Sequence, residues 1–195
     1  MRQATIQRET RETQIFLALT IDGSGQSHVD CQVDFLGHML EAFARHGMFD
    51  LDLQARGDLG VEAHHLVEDC GLVLGQAFSQ ALGDRSGIAR AGFFLMPMDE
   101  ALAEVAVDLC GRGNCVLKGR LGKASLGTFP PALALDFLIA FSQSLAASLH
   151  AHIRCGRNDH HKLEAMFKAL GRALSAACRL EPRLQGQVLS AKGVI

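Results

Sequence analysis

The chain contains no tryptophan and no tyrosine in 195 residues, and only four prolines. Without indole or phenol rings it has few platforms for stacked bases, and a formal net charge of −2 with no basic stripe offers nothing for a phosphate backbone to follow. These two features exclude nucleic acid as a partner. No apolar run approaches the roughly 20 residues of a membrane-spanning helix, and the opening MRQATIQRETRETQ lacks the apolar region of a secretory leader. The expectation is a cytoplasmic protein with no membrane partner. Six cysteines, at 31, 70, 110, 115, 155 and 178, match no CxxC or zinc-knuckle spacing, and several fall in apolar runs. They read as reduced core thiols. What the chain does have is enough apolar residue, 48%, for a substantial core, and nine histidines.

Hydrophobic periodicity divides the chain into two similar halves. Ile15, Leu17, Leu19 and Ile21 alternate along QIFLALTIDGSG and predict a strand that enters a hairpin. DFLGHMLEAFARHG places Phe35, Met39 and Phe43 a turn apart, with Asp34 as cap and Gly47 as stop, which predicts a helix. FDLDLQARG alternates again as a half-buried strand, and HHLVEDCGLVLGQAFSQALGD is a helix ending at Gly83. The second half repeats this order. EALAEVAVDLCG alternates, with NCVLKGRLG as its expected hairpin partner; PALALDFLIAFSQSLAASL reads as a buried helix after a proline pair. HAHIRCG is a short strand, and NDHHKLEAMFKALGRALSAA is the closing helix, capped by Asn158 or Asp159. An internal duplication follows, with repeats at about residues 1–88 and 89–195 in a single domain and a break near GDRSGIAR. The fold class is α+β.

Each half's last helix opens on HHxxE, at His64 to Glu68 and at His160 to Glu164. Residues four apart share a helix face, so His64 with Glu68, or His160 with Glu164, can grip one ion. The adjacent His65 and His161 are turned by about 100° and face elsewhere. Two histidine pairs therefore suggest two ions, each taking a His and a Glu from one helix and the spare His from the other. His38 and His150 would bring each set to four. Nitrogen and carboxylate donors without thiolate suit Mn, Fe or Zn. A helix N-terminus repels cations, and the paired glutamates offset that repulsion.

The segments RETQI, DFLGHMLEAFARHGMFDL, GDLGVEAHHLVEDCGLVLGQAF, MDEALAEVAVDLCGR, LHAHIRCGRNDHHKLEAMFKAL and LSAKG, in this order, resemble imidazoleglycerol-phosphate dehydratase, the dehydratase family of histidine biosynthesis. The likeness covers nearly the whole chain. It implies two tandem ribosomal protein S5 domain 2-like repeats and a homo-oligomer of 24 chains with active sites at subunit contacts. It also implies a hydro-lyase that converts imidazole glycerol phosphate into imidazole acetol phosphate, with two Mn2+ per subunit holding the substrate ring as imidazolate. One manganese would take His38, His65, His160 and Glu164, and the other His64, Glu68, His150 and His161. Substrate contacts would add Glu12, His46, Arg90, Arg112, Lys168, Ser190 and Lys192, four of them cationic as a phosphate ester requires. Glu12 and His46 are the expected proton-transfer groups, with Glu68 and Glu164 completing the catalytic set. The chain departs from the family pattern at Gly37, Gly60, Glu62, Ala63 and Leu66, all close to the ligands. Asp99 and Glu100 read either as acids beside the site or as the opening of a strand, and His28 and His152 have no assigned role. The competing readings are a dinuclear phosphohydrolase and a catalytically impaired oligomer stapled by metal.

Overall fold

Ile15, Leu17 and Leu19 turn inward from β2 (Thr13–Thr20) and are fully buried, as their alternation requires. The computed structural model, which describes residues 1–193 and 195, sets β2 antiparallel between β1 (Gln3–Glu9) and β4 (Asp50–Gly57). β3 (Ser27–Cys31) closes this sheet by running parallel to β4, giving the order β1-β2-β4-β3. The second sheet has the same plan. β6 (Ala101–Asp108) lies between β5 (Ala91–Met98) and β8 (Ser148–Cys155), and β7 (Asn114–Lys118) runs parallel to β8 at the edge. Its order is β5-β6-β8-β7.

Two sequence expectations need correction. The chain after IDGSG does not return beside β2, because β4 occupies that position and β3 lies beyond it. Nor is NCVLK the hairpin partner of β6. Its residues are only half buried, whereas β8 brings Leu149, Ala151 and Ile153 into the core and so takes the central position. The true hairpin partner, β5, exposes alternate residues and lacks the fully buried face that would have marked it.

The helices are α1 (Asp34–Gly47), α2 (His64–Leu82), α3 (Leu133–Leu145) and α4 (Asp159–Cys178). α2 ends at Gly83 as expected, and Asn158 caps α4 by accepting from the His160 amide at 2.9 Å. Asp34, by contrast, is inside α1, and the residue at its N-cap, Val33, gives no side-chain cap. The left-handed residue that stops α1 is Met48, at φ 60°, not Gly47. Gly47 is needed for space: a Cβ there would lie 2.3 Å from the Phe49 ring.

α2 packs on β1, β2 and α3, while α4 packs on β5, β6 and α1, so the four helices lie between the two sheets. Helices of the two halves meet at glycines in matching positions beyond the HHxxE motifs. A Cβ on Gly75 would be 2.5 Å from the Phe141 carbonyl oxygen, and one on Gly171 would be 2.3 Å from that of Phe43. Both obstacles are backbone, which cannot swing aside. Gly171→Val is therefore expected to cost at least about 1–3 kcal/mol of stability by overpacking, seen as a lower denaturation midpoint. An unchanged midpoint would refute this close approach of α1 and α4.

Candidate metal centre and substrate groove

α1 and α4 cross so that His38 and the first turns of α4 share one groove. His38 Nε2 is 3.5 Å and His160 Nε2 3.0 Å from the same oxygen, Glu164 Oε2. These three ligand atoms lie within 4.8 Å of one another, the one such cluster among the described residues. A divalent ion bonded to nitrogen and oxygen at about 2.0–2.2 Å places neighbouring ligands about 3 Å apart, so this set fits a metal. Two imidazoles and a carboxylate are also the donors that Mn, Fe or Zn accept.

Glu164 is only 8% exposed, and a carboxylate so buried needs partners. Its other oxygen, Oε1, is 2.7 Å from Lys168 Nζ one turn along α4. Burial pushes the Glu164 carboxyl upward, but the Lys168 contact and then His160 outweigh it and hold the group below its ordinary value. It is a carboxylate at neutral pH, with Oε2 turned to the histidines. Phe35 supports His160 edge-on at 5.2 Å.

The groove has a volume of 720 Å³ and runs from Gly25–Ser27 past His38, Glu41, Arg45 and His46 to Glu164 and Lys168. Four residues singled out in the sequence thus meet in one depression. His46 is held below the usual imidazole range by burial, then by the positive charges of Lys168 and Arg172. It stands in the groove as a neutral ring able to accept a proton.

The remaining expected ligands form separate groups. His64 and His65 diverge, with rings 6.1 Å apart and nearly perpendicular, as adjacent helical positions require. His64 Nε2 is 3.6 Å from Glu68, and its Nδ1 is 3.7 Å from Asp136 on α3. His65 is not with His38; its Nδ1 meets Asp58 at 3.1 Å and lies 3.9 Å from Glu12 in the β1–β2 turn. The Asp58 hydrogen bond raises the His65 pKa, with Glu12 adding to it. His161 Nδ1 meets Glu100 at 2.8 Å, and that bond, with backbone amides of the loop before α4, holds Glu100 down at about 2. His150 is exposed on the outer face of β8, beside Asp108 and Ser148, away from the α2 ligands.

Apart from Lys168, the expected cationic residues lie toward the end of the second sheet where β5 begins and β6 ends. Arg90 grips Asp108 at 2.7 and 3.0 Å and donates at 2.7 Å to the carbonyl of Leu189, next to Ser190. Ser190 Oγ accepts from the Lys192 amide at 3.2 Å. Gly111, beside Arg112, lies close to Ile195.

Sequence reasoning missed Asp58 and Asp136. A signal existed for the second: a lone acid in the apolar helix ALALDFLIAF demands a partner. Asp58 sits in a loop where acids are common and gave none. Among the departures, Leu66 is fully buried against Gly57, Ala63 leaves the start of α2 without a side-chain cap, and Gly60 has open space around it. These changes leave His64, His65 and Glu68 in place.

Residues 31–174 match the family described as imidazoleglycerol-phosphate dehydratase (IGPD). The chain is 50% identical to the imidazoleglycerol-phosphate dehydratase of Trichlorobacter lovleyi, over 100% of this chain and 99% of that protein. It is likewise 50% identical to that of Chloroflexus aurantiacus, over 100% of this chain and 95% of the relative. The crystal structure of IGPD from Pyrococcus furiosus superimposes with a TM-score of 0.85 at 34% identity, covering 97% of this chain and 100% of that one. The Staphylococcus aureus enzyme gives 0.82 at 35%, covering 92% and 99%. With the paired HHxxE helices and two like sheets already in hand, these matches show that the chain belongs to the imidazoleglycerol-phosphate dehydratase family of histidine-biosynthetic enzymes.

Proposed function

We propose that the chain dehydrates imidazole glycerol phosphate to imidazole acetol phosphate in an assembly of identical chains carrying two Mn2+ per chain. The observation that carries this reading is the His38, His160 and Glu164 cluster at the mouth of a groove that also holds His46 and Lys168. One ion would be held by these three ligands and His65, and the other by His64, Glu68, His150 and His161. Because His65 and His150 stand apart from the groups they would join, each site would be completed by a second chain. Phe93 and Leu95, exposed at 73% and 49% on the outer face of β5, offer apolar surface for such contacts. An assembly of 24 chains and a cytoplasmic location are part of the same proposal.

The reaction removes a proton from one carbinol carbon and hydroxide from its neighbour beside the ring; the enol left behind tautomerises to the ketone. When bound, manganese supplies Lewis acidity that lowers the pKa of the ring N–H. The protein's own groups do the rest. Lys168 holds the Glu164 carboxylate in its charged form. Glu12, exposed in its turn next to His65, moves the proton at carbon, and His46 is the second group able to do so. Arg90, oriented by Asp108, would bind the phosphate with Arg112, Ser190 and Lys192.

The test is an assay of metal-stripped protein before and after addition of Mn2+, following the acetol product. Activity should vanish on stripping and return with about two ions per chain. Phosphate release in place of the ketone would make the chain a phosphohydrolase, and metal uptake without any product would leave a metal-stapled oligomer.

A further inference from the structure

We propose that Glu100, in the turn between β5 and β6, is a positioning residue that fixes the tautomer and direction of His161 so that Nε2 is offered to a metal ion. The inference rests on the dinuclear reading above and adds a residue to it. A carboxylate can only accept, so the imidazole must donate from Nδ1, where the contact with Glu100 Oε2 is 2.8 Å. In the neutral ring, the form that binds a metal, the lone pair is then on Nε2, which faces the exposed Asp99 side chain at 3.6 Å. Histidine ligands of metals commonly have their other nitrogen held in this way.

Glu100 is itself anchored. Its Oε1 accepts from the amides of Arg157 at 3.2 Å and Asn158 at 2.9 Å, and Asn158 caps the helix that carries His161. One carboxylate therefore ties the turn, the cap and the ring together. The duplication makes the contrast clear, because Glu12 occupies the corresponding turn, between β1 and β2, of the first half. Glu12 comes no closer than 3.9 Å to His65, beyond hydrogen-bond range, and it is 56% exposed. In that half Asp58 holds His65 Nδ1 instead, at 3.1 Å. With the holding role passed to Asp58, the turn carboxylate of the first half is free to carry protons, while that of the second half is locked.

Glu100→Gln separates this role from a structural one. The amide oxygen still accepts from the two loop amides, but the NH2 group donates to Nδ1 and moves the ring proton to Nε2, removing the lone pair the ion needs. The experiment loads the full-length wild type and E100Q with Mn2+, then titrates with a chelator while counting bound ions, and records the melting temperature without metal. In the variant, one of two ions should leave at about 10 to 100-fold less chelator, with metal-free melting unchanged. Asp58→Asn should loosen the other ion. Retention of both ions by E100Q at wild-type affinity would overturn the proposal, as would metal loss accompanied by an equally lowered metal-free melting temperature. A wild type that holds no manganese would instead remove the dinuclear reading, and this inference with it.

Discussion

Glu164→Gln is expected to lower turnover by more than about 100-fold, the upper range for losing a residue that merely supports a ligand, and to release one manganese ion per chain. Glutamine keeps the shape but not the charge. Oε2 is the point at which His38 and His160 converge, so its loss removes the centre of the set and leaves two imidazoles with no anion between them. The damage extends to Lys168, whose side chain is only 20% exposed and whose ammonium loses its carboxylate partner. A hydrogen bond between charged groups contributes about 1.5–3 kcal/mol, so the metal-free variant should also melt earlier. Metal counting and product formation on one preparation read both effects. Full turnover with two ions bound would show that Glu164 is a structural acid and would dissolve the proposed centre.

Glu12→Gln should behave differently. Turnover is expected to fall by about 10² to 10⁴-fold, the usual contribution of a positioned general acid or base, while metal content and stability stay at the wild-type level. The Glu12 side chain is exposed and comes only within 3.9 Å of His65, beyond hydrogen-bond range, so the fold loses nothing with its charge. The pair of variants thus separates holding the ion from moving the proton. If Glu12→Gln kept full turnover, His46 would become the leading group, since it stands neutral in the groove with burial and two cations keeping it so.

The sequence by itself determined the repeated element order, the helix starts at His64 and near His160, and the pairing of each histidine with the glutamate four residues on. These are local matters of helix and strand period, and the structure places His160 and Glu164 together with atoms 3.0 Å apart. Resemblance supplied the family. Sheet order was not legible, because β3 and β7 run parallel to partners that lie across a helix in sequence, and nothing local distinguishes a parallel edge strand from a hairpin arm. The meeting of His38 with His160 depends on α1 crossing α4 at glycines whose purpose shows only when the opposing backbone is in place. The acids at the histidine Nδ1 atoms were decided in the same way. Glu100 reaches His161 from a turn that only the folded sheet brings to the start of α4, whereas Asp58 lies in the loop leading into α2, where nothing in the sequence shows which way that loop turns its carboxylate. Period writes itself into neighbouring residues, whereas convergence of carboxylates on a ring is a property of packing.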